Sequence, residues 1–173
     1  RLLGYAVFIG AVSALILIVF VAKFRFLNNT PGLTQAQIAR NVATGEGLTS
    51  DIVSPLGIAL AGENADQLLL SGPLYPLVLS LPMRMIDTTG HVAGLASMTF
   101  VALTLLLVAI IAARVFGARI AVGSVALLAL TVPFVEQGVT GDELAFLSLI
   151  LTALFSLLLL WRGSPRSDSV WWA

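Results

Sequence analysis

Uncharged apolar runs, separated by short charged turns, dominate this chain. Residues 2–22 form 21 consecutive positions without a charge, and residues 92–113 form 22. Residues 120–135 form a third run of 16, which becomes 119–136 when Arg119 and Glu136 extend to the interface at its ends. The fourth, residues 144–161, holds 18 and is opened by Glu143. At 1.5 Å rise per residue, runs of this size cross a hydrocarbon core of about 30 Å. The pattern predicts spans at 2–22, 92–113, 119–136 and 143–161, the third with least length to spare. The predicted fold class is an all-α integral membrane protein with about four transmembrane helices and further juxtamembrane helices on the outer face.

The segment between the first two spans, 23–90, carries its own signals. Thr30-Pro31 reads as an N-cap followed by proline at the first helical position. LTQAQIARNVATGEG follows, with Ile38 and Val42 on one side, Gln35, Gln37, Arg40 and Asn41 polar, and Gly45 and Gly47 at the end. A short helix at about 31–44 is predicted, its apolar side suited to a membrane surface. A second short helix is expected at 64–71, capped by Asn64 and stopped by Gly72-Pro73. PLYPLVLSLPM, residues 73–83, is apolar but holds three prolines and only 11 residues before Arg84. That is too short to span, so a juxtamembrane or re-entrant helix is predicted over about 73–86.

Charge sets the sidedness. Arg114 and Arg119 share one short loop, and Arg162 and Arg166 follow the last span. With four spans these lie on the side of Arg1, which the positive-inside rule makes cytoplasmic. The segment 23–90 and the turn 137–142 then face outward, in a bacterial inner membrane or its equivalent. If 73–84 spanned instead, the last two basic clusters would flip.

Composition strengthens the membrane reading. Of 173 residues, 58% are hydrophobic and 10% charged, and the mean hydropathy is +1.02. Soluble chains carry about 25% charge, and this chain has too little to coat a soluble core. Nine basic residues balance nine acidic ones with no basic block, which disfavours nucleic acid as a partner. The absence of cysteine removes disulfides, thiolate nucleophiles and iron–sulfur clusters. One histidine, His91, excludes a multi-histidine site built from this chain alone. The interiors of the four runs hold no Asp, Glu, Lys, Arg or His, so a proton or ion path through them is disfavoured.

The candidate chemistry is therefore sparse. Asp142 and Glu143 open the fourth span in GVTGDEL. Adjacent carboxylates there are explained by the helix dipole and the free N–H groups of a first turn. They also suit a catalytic acid site, or a hold on a divalent metal bound to phosphate. Glu136, six residues earlier, either joins them or simply ends a helix. Arg40 and Arg84 are candidate lipid-phosphate ligands, since guanidinium matches phosphate geometry; the alternatives are a solvated or headgroup-facing Arg40, which is favoured over the ligand role, and an Arg84 that snorkels to headgroups. His91, near Asp87, reads as a polar helix end, and Glu46, between glycines, and Asp51, shortly after them, read as a solvated loop. Asn28-Asn29-Thr30 matches a glycosylation sequon.

The order of these pieces resembles the N-terminal part of GT-C-type membrane glycosyltransferases, in the branch of dolichyl-phosphate-mannose–protein mannosyltransferases and aminoarabinose transferases. QAQIARNVATGEGLT is similar to the family's outer helix. SGPLYPLVLSLPMRMI is similar to its proline-rich apolar stretch, ARVFGAR to its cytoplasmic turn, and LTVPFVEQGVTGDELAFLSLILTAL to its approach to the next helix. The resemblance implies sugar transfer from a polyprenyl-phosphate donor at the outer face. It implies one catalytic acid in the first outer loop and a second acidic site in the next. Asp142 or Glu143 matches the second. At the place of the first stands Pro31-Gly32, and Gln35 stands where the family has an aromatic residue. Two functions are therefore carried forward. One is a glycosyltransferase piece, the chain being a fragment of a longer protein. The other is an accessory, non-catalytic subunit bound to other membrane proteins.

Overall fold

The computed structural model describes residues 30–50 and 72–162. The predicted span at 2–22, the short helix at 64–71 and Asp51 lie outside them. Within the described residues the chain is all-helical, without a strand. The helices are α1 (Thr30–Thr44), α2 (Leu74–Met85), α3 (Gly90–Val115), α4 (Ala118–Leu130), α5 (Val132–Thr140) and α6 (Glu143–Arg162).

α1 does not lie free with one apolar side on a surface. Its Gln35, Ala36, Ile38, Ala39 and Asn41 are buried, and it packs chiefly on α2. Two residues taken as part of a polar face, Gln35 and Asn41, are thus interior. Asn41 Nδ2 donates to the Thr49 carbonyl at 2.9 Å, tying the segment after the helix back onto it. Arg40 remains exposed.

α2 forms despite its prolines because of where they stand. Pro76 lies in the first turn, where N–H groups have no helical partner anyway. Pro82 comes in the last turn, after most of the ladder is made, and the Ile86 N–H still reaches the Pro82 carbonyl at 3.0 Å. Its 12 residues extend about 18 Å, well short of a bilayer core. Tyr75, Leu79 and Met83 face inward at four-residue spacing and join Ala36, Ala39, Val92 and Ala93 in one core cluster.

α3 is the hub, with α4, α5 and α6 all packed on it. Met98, Val101, Leu105 and Ala109 descend one face and meet Val125 and Ala145 in a second cluster. Several hydroxyls in these apolar helices are satisfied within their own turns. Thr104 Oγ1 donates to the Phe100 carbonyl at 2.8 Å, and Ser148 Oγ to that of Ala145 at 2.8 Å. Outward, α3 exposes Leu103, Leu106 and Ile110, and α6 exposes Leu147, Leu151, Leu154 and Leu158. Each set is a continuous apolar stripe at helical spacing.

The third run is not one straight helix. α4 ends at Leu130, Thr131 is extended (φ −75°, ψ 106°), and α5 leaves at 76°. Pro133 is the physical reason: it has no N–H to offer, and its ring collides with the carbonyl four residues back. The expected outer turn at 137–142 shrinks accordingly, because α5 runs through Thr140. Among the described residues α3 alone is long and apolar enough to cross a membrane as one helix. The bent α4–α5 pair would be a second crossing, and the apolar part of α6, Glu143–Leu159, falls short of that length.

Candidate active site at the α5–α6 turn

Gly141 makes the turn that joins α5 to α6. Its φ of 68° lies in the left-handed region, which a side chain penalises and glycine tolerates. Only Gly141 and Asp142 separate the two helices, and the turn delivers Asp142 and Glu143 to the start of α6.

Three other helices converge on this turn. From α2, the Tyr75 hydroxyl donates to the Gly141 carbonyl at 2.9 Å. Its one proton is then committed, so it accepts from Ser97 Oγ of α3 at 2.8 Å. Tyr75 is buried, and its ring meets Phe146 of α6 at 5.9 Å and Phe100 of α3 at 6.4 Å. Burial pushes its hydroxyl up to about 12; the Ser97 hydrogen bond acts the other way, and the charges of Asp142 and Glu143 add to the rise. The phenol stays neutral and acts as a clamp.

From α1, Gly32 lies against the Thr140 backbone. A Cβ on Gly32 would fall far inside contact distance of the Thr140 carbonyl oxygen, so only glycine fits there. One turn on, Gln35 is 2% exposed, and its Nε2 donates to Glu143 Oε2 at 3.1 Å. Its Oε1 is buried without a hydrogen-bond partner among the described residues.

The two carboxylates, indistinguishable in the sequence, thus have different work. Asp142 accepts the Glu143 N–H at 2.7 Å, satisfying a donor at the helix start. Glu143 reaches across to α1. Both are partly exposed. These two are the acidic groups here that could hold a metal, but no group of three or more His, Asp or Glu side chains gathers for one among the described residues. Glu136 is exposed on α5, Glu46 is exposed after α1, and His91 is exposed in the first turn of α3. Arg40 and Arg84 are also exposed, and no hydrogen bond or ion pair joins either to Asp142 or Glu143 among the described residues. Gln35 and Tyr75 were not among the candidate residues. Their only sequence signals are a glutamine in an aromatic's place and a tyrosine inside PLYP.

The family model for dolichyl-phosphate-mannose-protein mannosyltransferase matches residues 71–173. The chain belongs to this family. The matched part of this mannosyltransferase-family chain contains α2 to α6, and with them Tyr75, the Gly141 turn and both carboxylates. α1, which carries Gly32 and Gln35, precedes it. No curated protein and no solved structure matches the chain.

Proposed function

We propose that the chain is part of a membrane glycosyltransferase that takes a sugar from a polyprenyl-phosphate donor, with its acidic site at Asp142 and Glu143. An acceptor hydroxyl attacks the anomeric carbon, the bond from that carbon to the phosphate oxygen breaks, and the polyprenyl phosphate leaves. Glu143 takes the proton that the hydroxyl gives up. The observation that carries this reading is the placement of Glu143 where α1 meets the Gly141 turn, with its carboxylate held at 3.1 Å by Gln35. Asp142 keeps the start of α6 in place. Arg40 and Arg84, exposed on α1 and α2, meet the lipid phosphate, whose charge and geometry guanidinium suits.

The membrane arrangement belongs to the same proposal. The apolar stripes of α3 and α6 suit lipid better than water, being continuous rather than scattered. The bond from Tyr75 to Ser97 and Gly141 sets the start of α3 beside the start of α6, so those helices run the same way. α3 then leads from the outer face to the Arg114–Arg119 turn, α4 and α5 return, and α6 leads to Arg162. With residues 2–22 as a further crossing, the N-terminus is cytoplasmic and α1 and α2 lie on the outer face.

One observation favours the accessory-subunit reading. Pro31-Gly32 stands where the family resemblance expects the first acid, and Gly32 is pressed against Thr140, so no acid fits at position 32. A double replacement, Asp142→Ala with Glu143→Ala, decides between them. The transferase reading expects release of polyprenyl phosphate from polyprenyl-phosphate mannose by the native protein and none by the variant. Equal release by both removes these carboxylates from the mechanism. Stable co-purification with other membrane proteins, and no release by either, supports the accessory role.

A further inference from the structure

The structure assigns Gln35 the role of a positioning residue, which orients the Glu143 carboxylate across the α1–α6 junction for sugar transfer; this rests on the transferase reading. Four observations point to it. The bond joins residues 108 apart in sequence, so it fixes one helix against the start of another. Its amide is buried with Oε1 unpartnered among the described residues, a costly arrangement that an apolar side chain of similar size would avoid. Asp142 Oδ1 accepts the Glu143 N–H and so ties that carboxylate to its own helix start, whereas the Glu143 carboxylate is the one that reaches across to α1. Gly32, one turn before Gln35 on the same face of α1, seats that helix against Thr140 and sets the reach of the amide.

The chemistry of the donor fits the role. An arginine or lysine at position 35 would form an ion pair and hold the carboxylate as an anion. An amide N–H aims the carboxylate and carries no charge, so Glu143 stays able to receive a proton in the transfer step. Gln35 touches no reacting atom; it acts through Glu143.

The test compares native protein with Gln35→Leu, Gln35→Asn and Glu143→Gln, the full chain in detergent, with short-chain polyprenyl-phosphate mannose as probe. Gln35→Asn keeps the amide but is one methylene too short to reach. Both Gln35 variants are expected to lower kcat by about 10²-fold, the cost of misplacing a reacting group by about 1 Å, with KM unchanged. Gln35→His, which keeps a ring N–H donor, is expected to recover part of kcat. If Gln35→Leu does not fold, Gln35→Asn decides. Native kcat in the folded Gln35 variants, or a loss in KM alone, overturns the positioning role while a dead Glu143→Gln leaves the transferase reading standing. Equal turnover by native protein and Glu143→Gln removes Glu143 as the base, and the role of Gln35 with it; no turnover by either protein overturns the transferase reading.

Discussion

The two ends of α3 meet their neighbouring helices with opposite chemistry. Near its start, Ser97 joins Tyr75 and the Gly141 turn, and Gln35 and Glu143 bond close by. About 21 Å further along α3, at 1.5 Å per residue, lies a groove of about 540 Å³ between α3, α4 and α6. Val108, Ile111, Phe116, Ile120 and Phe155 line it, with Ser124 and Thr152 as its polar members. Both regions lie beside α3 and α6, but Gln35, Tyr75 and Ser97 are buried at the first, whereas Phe116, Ile120 and Phe155 are exposed at the second. The first gathers polar groups from four helices into a directed set, a costly arrangement away from water. The second needs only apolar filling. The transferase reading puts proton transfer at the first.

The sharpest way to break this comparison is at the carboxylates. Glu143→Gln should cost at least about 10²-fold in turnover, the usual scale of a lost general base, measured as polyprenyl phosphate released. Asp142→Asn keeps an acceptor oxygen for the Glu143 N–H and should cost less than tenfold, about 1.4 kcal/mol. Next comes the packing beneath the polar end. Leu79→Ala empties a buried position of α2 and should destabilise by about 2–5 kcal/mol, read from thermal unfolding in detergent. Tyr75→Phe should cost about 1–3 kcal/mol, because the Gly141 carbonyl and Ser97 lose their partner. The same variant has a pH signature. The Tyr75 pKa is raised from 10.0 to about 12 in the fold, so its contribution is intact below pH 10 and is lost as pH rises toward 12. Phenylalanine should remove that part of the alkaline decline. Smallest is Phe155→Ala at the groove, where an exposed side chain should change stability by about 0.5 kcal/mol or less.

Much of the helical layout could be read from apolar runs and proline positions, because those terms are local. The break at Thr131 is also local in cause, yet the charge-free run 120–135 hides it. Hydropathy counts Pro133 as one more uncharged residue, whereas the backbone registers a missing donor. The site was half legible. Asp142 and Glu143 stand out as the only adjacent acids, but their division of labour depends on where α1 lies, which is set by contacts more than 100 residues away. Gln35 looked like part of a polar face for the same reason. Periodicity tells which residues share a face and is silent on whether water or another helix covers it. Pro31-Gly32 reads in the sequence as the absence of acids. In the fold, Gly32 is a position where any side chain would strike the Thr140 carbonyl.

The most direct test of where the sugar reacts is photolabelling with a polyprenyl-phosphate sugar that carries a photoreactive group on the sugar, read out by peptide mapping. Labels in residues 30–44 and 136–147 are the result expected if transfer takes place at the α5–α6 turn. Sugar-directed labels confined to residues 108–124 and 151–155, along the apolar groove, would contradict it.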